Sequence, residues 1–315
     1  MYHYPMDYDE INYICAIVLT GQGPDMKLLL QSNDQLPMGE KKTLGPLAAC
    51  MNYVKEISGV RLSRDLAITL NRRGNILPFL FYLENAPEEG NWIPLITLKK
   101  LENPHGKMLC EAIGKFWPRM PSFKKELGFI TLPNIFYKQT LHEDKETIFF
   151  PGSFNPWHEG HRACLDVAPT ESNIVVVPDF NPWKDREDIQ IGCGWEKYIN
   201  LALALKDTTH SVFPGFLGLE KSNPTVDWLP FTNVEKKNLL VGEDSFLSLE
   251  KWKDTKKLIS FLAKLYVVPR EGDEKLVEET KKKLLEQRPN MEIEILPTHP
   301  HQEVSSTKIR DKISS

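Results

Sequence analysis

The stretch that decides the fold lies at residues 147–161 and reads Thr-Ile-Phe-Phe-Pro-Gly-Ser-Phe-Asn-Pro-Trp-His-Glu-Gly-His. The apolar run at 148–150 is typical of a strand, and it ends in a Gly-Ser turn. His158 and His161 then stand three residues apart at the start of a predicted helix, so they share one face. Gly152 allows backbone N–H groups to approach an anion, and a helix N-terminus adds unpaired donors and the positive end of its dipole. The stretch therefore predicts a phosphate site between a strand and a helix.

Length and composition place the chain among ordinary globular proteins. At 315 residues it exceeds the size that one hydrophobic core usually reaches, so we expect two domains. The net charge of −4 argues against a nucleic-acid partner, which usually meets a basic face. No apolar run approaches the ~18 residues of a membrane span, and the N-terminus lacks the basic and apolar regions of a signal peptide. We therefore expect a cytoplasmic protein that does not bind a membrane.

The side chains that most often bind metals are scattered along the chain. Cysteines stand at positions 15, 50, 110, 164 and 193, with no Cys-x-x-Cys pair, which fits neither a disulfide framework nor a zinc knuckle. We expect them to be reduced and mostly buried. His299 and His301 lie in a Pro-rich loop and could ligate a metal in principle, but a solvated loop is the favoured interpretation. The sequence thus predicts no metal site formed by the protein itself.

From residue 147 onward strand and helix patterns alternate, which predicts an α/β fold with a doubly wound parallel sheet. Near-continuous apolar runs at 173–177 and 238–241 indicate strands buried on both faces. Further strands are predicted at 265–268 and 291–296, and helices at 195–205, 254–262, 274–287 and after residue 305. We place the domain boundary near residue 145, which gives domains 1–145 and 146–315.

The first domain reads as a separate α/β unit. Two strands at 13–19 and 27–31 are joined by a turn that contains Gly and Pro. A helix at 44–58 is followed by Gly59, which we expect at the C′ position. Strand patterns at 67–84 and a helix at 106–117 complete the unit.

The decapeptide Gly-Ser-Phe-Asn-Pro-Trp-His-Glu-Gly-His at 152–161 resembles the signature of the HxGH nucleotidyltransferase superfamily. Within it, the sequence is most similar to the nicotinamide and nicotinate mononucleotide adenylyltransferases, whose motif is Gly-Ser-Phe-(Asp/Asn)-Pro-x-(His/Thr)-x-x-His. Three further motifs follow in the family's order, so the resemblance covers residues 147–315. It implies a Rossmann-like nucleotidyltransferase fold for this part of the chain.

By this resemblance, the first motif binds the phosphates of ATP. It assigns Gly152, Ser153 and Phe154 to nucleotide binding. His158 and His161 are implied to contact the α- and β-phosphates during transfer.

The second and third motifs are implied to reach the two ends of ATP. Val-Pro-Asp-Phe-Asn-Pro-Trp-Lys at 177–184 resembles a family loop whose lysine meets the triphosphate, so Lys184 would neutralise the leaving pyrophosphate. Where the family often has histidine before that lysine, this chain has Trp183. Gly242 and Asp244 resemble the Gly-x-Asp that holds adenosine, with Asp244 accepting from ribose hydroxyls.

The pyridine nucleotide is implied to lie between these motifs. Trp252, eight residues after Asp244, matches the family's aromatic that stacks on the pyridine ring. The alternative is a packing residue on an amphipathic helix. Thr225 and Trp228 lie where the family contacts the carboxamide or carboxylate of that ring.

The fourth motif, Val-Ser-Ser-Thr-Lys-Ile-Arg at 304–310, resembles a helix start that faces phosphate. Hydroxyls at an N-cap and free N–H groups are suited to bind an anion there. The residues implied to bind the nucleotide are Ser305, Ser306 and Thr307, and Arg310 supplies a fork for phosphoryl oxygens.

The resemblance implies a reaction in which ATP and a pyridine mononucleotide give the dinucleotide and pyrophosphate, with Mg²⁺ bridging phosphate oxygens. Two alternatives remain open. One is another HxGH adenylyl- or cytidylyltransferase, such as one acting on phosphopantetheine, and the other is a nucleotide-sensing regulatory protein. Lys253 and Lys221 stand near the expected position of the pyridine substituent and slightly favour the nicotinate form, although activity with both forms is expected. The sequence leaves the oligomeric state open, and a homo-oligomer is one of the possibilities.

The first domain weakly resembles a Nudix domain in its order of strand, strand, Leu-Pro-x-Gly loop and helix. A Nudix helix carries several carboxylates that hold Mg²⁺, whereas the matching stretch here, Asn-Tyr-Val-Lys-Glu-Ile-Ser-Gly at 52–59, keeps only Glu56. One carboxylate is too few for a hard-cation site. We expect a degenerate Nudix-like domain without hydrolase activity, or an unrelated α/β domain.

Overall fold

The computed structural model describes residues 10–21, 25–99, 101, 104–116, 145–179, 194–213, 215–218, 222–232, 234–270, 272 and 274–313. Within these residues the strands are β1 (Tyr13–Thr20), β2 (Lys27–Leu30), β3 (Met38–Glu40), β4 (Ile68–Thr69), β5 (Ile76–Leu83), β6 (Asn91–Pro94), β7 (Glu146–Gly152), β8 (Ser172–Pro178), β9 (Ser211–Val212), β10 (Lys237–Gly242), β11 (Leu262–Val268) and β12 (Glu292–Ile295). The helices are α1 (Pro46–Ser58), α2 (His105–Phe116), α3 (Glu159–Asp166), α4 (Gly194–Ala204), α5 (Thr225–Trp228), α6 (Glu243–Leu247), α7 (Thr255–Phe261), α8 (Glu274–Gln287) and α9 (Ser306–Ile313). None of these helices has the length and apolarity that crossing a bilayer requires.

The first sheet is mixed and has the order β4-β5-β1-β2-β6, with β3 also paired to β1. β1 and β2 are antiparallel, as the turn between them predicts, and β1 runs parallel to β5. α1 begins with Pro46 in its first turn and ends at Gly59, whose φ of 76° is left-handed. That conformation favours glycine, and the Gly59 N–H donates to Lys55 O, so the predicted helix end is confirmed.

The second sheet is entirely parallel and has the order β12-β11-β10-β7-β8-β9. This confirms the predicted parallel α/β sheet, and it adds the edge strand β9, whose two residues are too few to show a periodicity. All seven residues of β8 are buried, as expected for a strand inside a parallel sheet.

The direction in which strands are added to this sheet reverses beside β7. From β7 the chain adds β8 and β9 on one side, and it then returns to add β10, β11 and β12 on the other. In open α/β sheets, ligands bind in the crevice at the carboxyl ends of the strands where the order reverses. The crevice between the ends of β7 and β10 is therefore the expected binding position.

Helix α2 joins the two sheets. One apolar cluster runs without interruption from β1 and β2 through Met108 and Leu109 of α2 to Trp195 and Ile199 of α4. The Trp195 Nε1–H also donates to Leu98 O at 2.6 Å. Because residues 117–144 lie outside the described part, the boundary near residue 145 stays a prediction.

The described cysteines agree with the expected reduced state. Cys15, Cys50, Cys110 and Cys164 are buried, as expected, while Cys193 lies outside the described residues. Burial raises the pKa of the Cys164 thiol to about 11, so this side chain stays a neutral thiol at pH 7.

Candidate active site

The predicted pair of histidines meets at the start of α3. His158 is the N-cap residue of this helix, and its Nδ1 accepts a hydrogen bond from the Gly160 N–H at 3.1 Å. His161 lies in the first turn, and the two imidazoles stack with centroids 3.7 Å apart and an interplanar angle of 22°. The side chains are neighbours, as the spacing predicts, although His158 caps the helix instead of belonging to it.

The protonation state of His158 follows from this cap. Because Nδ1 accepts from Gly160, the proton of the neutral ring is on Nε2. The side chain is 8% exposed, and burial together with the positive charge of Arg270 lowers its pKa to about 4. Nε2 is buried and has no hydrogen-bond partner among the described residues. At pH 7 it is a neutral donor suited to an acceptor such as a phosphate oxygen.

Gly152 and Phe154 shape the loop before the histidines. The Phe154 backbone has a φ of 44°, and its buried ring meets the edge of His161 with centroids 5.0 Å apart. A Cβ on Gly152 would lie 2.9 Å from the Phe154 ring, which is closer than real contacts allow. Glycine is thus required here by the aromatic ring. The predicted approach of backbone N–H groups to an anion stays a prediction.

Arg270 is a central cation of this region that the sequence reasoning missed. It follows β11, and its Nη1 lies 2.9 Å from Asp244 Oδ2, while Nη2 donates to Val304 O at 3.5 Å. Its charge also acts on the pKa of His158. One side chain thus connects the first, third and fourth motifs. A polar residue just after a buried parallel strand was the signal that could have found it.

Glu243, inside the third motif, holds the backbone that carries Arg270. The Glu243 side chain is buried, and its Oε2 accepts from the Arg270 N–H at 2.6 Å. A Cβ on Gly272 would lie 1.6 Å from Glu243 Oε1, so only glycine fits beside this carboxylate. Asp244 instead has a side chain that is 75% exposed and ion-paired with Arg270. Its predicted contact with ribose remains a prediction, as does the role of Gly242, the N-cap of α6.

The fourth motif contacts the histidine loop, which is the segment 152–158 between β7 and α3. Ser305 Oγ accepts from the Lys308 N–H at 3.2 Å, so it caps α9, as predicted. Ser306 Oγ donates to Pro156 O at 3.0 Å and draws the start of the helix onto the loop that carries the histidines. Thr307 is exposed.

Two of the predicted catalytic groups cannot be placed. Lys184 lies outside the described residues, as does the side chain of Arg310. Their roles stay predictions.

His299 corrects one expectation from the sequence. We interpreted 299–301 as a solvated loop, but His299 is only 6% exposed, and its Nδ1 accepts from the His301 N–H at 3.1 Å. Burial and the nearby charge of Arg270 lower its pKa. His301 is exposed, as expected. The loop packs against the start of α3, where a Cβ on Gly160 would lie 3.3 Å from His301 O.

A pocket of about 500 Å³ opens beside the histidine loop, and its lining includes the carboxyl end of β7 and Ser245 of α6, the helix that directly follows β10. Its lining includes residues predicted for both substrates, namely Gly152, Ser153, Thr225, Trp228 and Trp252. Among the described residues, none before residue 146 contributes to this lining.

The two tryptophans of this pocket differ in their packing. Trp252 is partly buried and packs against the core, as the alternative expects, but it follows a 3₁₀ turn instead of lying on an amphipathic helix. Trp228 is 2% exposed, and its Nε1 has no hydrogen-bond partner among the described residues.

Lys253 also lines the pocket, but its Nζ donates to both carboxylate oxygens of Asp227 at 2.8 and 3.0 Å.

Known proteins were compared with this chain. A family model described as cytidylyltransferase-like matches residues 149–312, just over half of the chain. The chain belongs to the cytidylyltransferase-like family. It is therefore a nucleotidyltransferase, and the Rossmann-like sheet, the histidine loop and the start of α9 all lie in the matched part. The Nudix resemblance receives no support, because the first sheet lies outside this match.

The names of three relatives give an activity. A probable nicotinate-nucleotide adenylyltransferase of Leptospira interrogans is 30% identical over 135 residues, which is 39% of this chain and 66% of that protein. A probable nicotinate-nucleotide adenylyltransferase of Aquifex aeolicus is 31% identical over 156 residues, which is 46% of this chain and 90% of the relative. A third protein of that name, from Clostridium botulinum, is 28% identical over 178 residues, covering 52% of this chain and 84% of the relative.

Proposed function

We propose that the protein transfers the adenylyl group of ATP to nicotinate or nicotinamide mononucleotide, and that residues 146–315 carry this activity. The observation that carries the proposal is the position of the pocket. It lies at the crevice where the strand order reverses, and Gly152 and Ser153 belong both to its wall and to the loop that leads to the stacked histidines. A second nucleotide in the pocket would lie beside a phosphate held by the histidines. The names of three relatives support this choice.

In the proposed reaction, an oxygen of the mononucleotide 5′-phosphate attacks the α-phosphorus of ATP. A new P–O bond forms as the bond from the α-phosphorus to the bridging oxygen of the β-phosphate breaks, and pyrophosphate leaves. No side chain becomes covalently attached, because positioning and charge stabilisation dominate such transfers. His158 and His161 are our candidates for the donors to the α- and β-phosphates. The buried Nε2–H of His158 has the geometry of a fixed donor, which needs no reorganisation during the reaction.

The developing charge on pyrophosphate requires cations. Arg270 is the described cation next to the histidines, and Lys184 and Arg310 are further candidates from the sequence. Among the described residues no group of three or more His, Cys, Asp or Glu side chains is arranged to hold a metal ion. We therefore propose that Mg²⁺ arrives bound to the phosphates of ATP and keeps mostly phosphate and water ligands, as this cation usually does with nucleotides.

The pyridine end of the mononucleotide is proposed to lie against Trp252, which gives stacking in the pocket wall. The indole N–H of Trp228 and the hydroxyl of Thr225 are candidate donors to the ring substituent. Carboxylate and carboxamide both present an oxygen acceptor, so these donors fit either form.

Lys253 gives less reason to favour nicotinate mononucleotide than the sequence suggested. Its charge is already compensated by Asp227 at 2.8 Å, and both side chains are about half exposed. A nicotinate carboxylate would compete with this pair instead of meeting an unpaired cation. Lys221 lies outside the described residues. We therefore expect turnover of both mononucleotides, and the names of the relatives are what favour nicotinate.

The test uses the purified full chain with ATP, Mg²⁺ and one acceptor at a time. The acceptors are nicotinate mononucleotide, nicotinamide mononucleotide and phosphopantetheine, and both pyrophosphate and the adenylylated product are measured. We expect dinucleotide with the pyridine mononucleotides and no product with phosphopantetheine. Absence of product with both pyridine mononucleotides would overturn the proposal, and product with phosphopantetheine alone would identify a different member of the family.

A further inference from the structure

A buried ion pair connects the first sheet to the second half of the chain. Arg73 lies in the turn before β5, and its Nη2 is 3.0 Å from Oε2 of Glu111 on α2. The side chains are only 8% and 3% exposed. The other carboxylate oxygen of Glu111 accepts from the Asn71 N–H at 2.9 Å. The same Arg73 nitrogen donates to the carbonyl oxygen of Gly218, which is distant in sequence.

Gly218 ends a 3₁₀ turn at residues 215–218 that is wedged against α2. A Cβ on Gly218 would lie 2.6 Å from both Lys107 O and Glu111 N, so α2 and this turn approach as closely as backbones can. The guanidinium thus binds a carboxylate on α2 and a carbonyl on the turn together. The Nη2 nitrogen of arginine suits this, since its two N–H groups point in different, fixed directions.

The 3₁₀ turn at residues 215–218 supports the wall of the pocket. Phe216 within it packs against Trp228, with ring centroids 5.9 Å apart. Trp228 also packs against Phe149 of β7, with centroids 5.5 Å apart. Trp228 lines the pocket together with Thr225, the first residue of α5. Contacts therefore run from Arg73 through Gly218 and Phe216 to the pocket wall.

We propose that Arg73 and Glu111 are positioning residues for the pocket, so that the first sheet fixes the wall formed by residues 222–228. A buried pair of charges is seldom retained for stability alone, because removing both charges from water costs about as much as their attraction returns. Arg73 also donates a hydrogen bond to the Gly218 carbonyl across the contact between the two parts of the chain, and this bond gives the ion pair a different role. It sets the distance between α2 and the turn.

The proposal extends the proposed function, since it assigns the N-terminal half a part in binding the acceptor nucleotide. It rests on that function for its kinetic consequence only. The structural consequence, which is the order of residues 215–218 and 222–228, can be measured without any substrate.

The decisive variant is the double substitution Arg73→Met with Glu111→Gln. A single substitution would leave one charge buried without its partner, which is strongly destabilising. The double variant removes both charges, and the glutamine oxygen can still accept from the Asn71 N–H. The bond to the Gly218 carbonyl is lost. A second variant, Arg73→Lys, keeps the positive charge, but its side chain is shorter, so the ammonium group does not reach the position from which Nη2 meets both acceptors.

The matched control is the neighbouring pair Arg72 and Glu10. Their ion pair is 2.7 Å long, but the side chains are 31% and 61% exposed. Arg72→Met with Glu10→Gln therefore makes the same chemical change one residue away, outside the contact between the halves.

Hydrogen–deuterium exchange of the full chain is the first measurement. We expect faster exchange in peptides from 215–228 for the double variant and for Arg73→Lys, and no change there in the control. The second measurement is steady-state kinetics with ATP and the pyridine mononucleotides. KM for the mononucleotide should rise about tenfold or more, since a misplacement of 1 Å can cost about 10²-fold, while KM for ATP stays unchanged.

The outcomes separate this proposal from the proposed function. Unchanged exchange at 215–228, or an even rise over the whole chain, would overturn the positioning role. An equal rise of both KM values would overturn it as well. If the wild-type protein has no activity with pyridine mononucleotides, the proposed function fails, and exchange at 215–228 still decides the role of Arg73 and Glu111.

Discussion

Replacing His158 with asparagine separates two roles that this side chain has in the structure. Its Nδ1 caps α3 by accepting from the Gly160 N–H, and its Nε2 is the proposed donor to a phosphate. Asparagine is among the best N-cap residues, so His158→Asn keeps an acceptor for the first turn and removes only the distant donor. His158→Ala removes both groups and is the matched comparison.

The expected magnitudes differ between the two roles. Loss of one fixed donor to charge that grows in the transition state lowers kcat by about 10²–10³. Loss of an N-cap lowers the free energy of unfolding by about 1 kcal/mol. His158→Asn should therefore show the full loss of turnover with a stability near that of the wild type. His158→Ala should show a similar loss of turnover and the additional loss of stability.

The assay is pyrophosphate release with ATP, Mg²⁺ and nicotinate mononucleotide, together with urea unfolding of each variant. Because the pKa of His158 is lowered to about 4, the ring stays neutral, and the ratio of wild-type to variant turnover should be constant between pH 6 and 8. Turnover of His158→Asn close to the wild-type value would refute the donor role and leave His158 as a helix cap alone.

Three further predictions follow from packing and charge. Trp252→Ala should raise KM for both mononucleotides by a similar factor of about 10 to 100, because stacking on one base is worth about 1–3 kcal/mol; unchanged values would place the pyridine ring elsewhere. In urea titrations, Gly152→Ala should lower the free energy of unfolding by about 1–3 kcal/mol through overpacking against an aromatic ring 2.9 Å away, and an unchanged value would show that the ring moves aside at no cost. Burial lowers the pKa of both His158 and His210 to about 4, below the usual value of about 6.5. As pH decreases, these side chains therefore bind protons in the unfolded chain before they do so in the folded protein. The free energy of unfolding should therefore be level with respect to these groups above about pH 6.5 and fall as pH decreases towards 4; urea titrations that stay level over this range would contradict it.

Local features of the fold could be predicted from the sequence because their causes are local. The helix predicted at 274–287 has the observed bounds, and the end of α1 depends on one glycine in a left-handed conformation. The long apolar run at 173–177 shows by itself that β8 is buried on both faces. The edge strand β9 was missed, since two residues carry no periodicity.

The features of the candidate site also divide into those that follow from local sequence and those that depend on tertiary contacts. The sequence alone determined the loop that carries the two histidines, because strand, turn and helix N-terminus are adjacent in the chain. Only the tertiary structure places Arg270 beside Asp244 and His158, buries His299, and links Arg73 to Gly218. These contacts depend on which parallel strands become neighbours and how far each extends, and on how helices cover the sheet. Such distances arise between residues far apart in the chain, so no local pattern of apolar and polar residues encodes them.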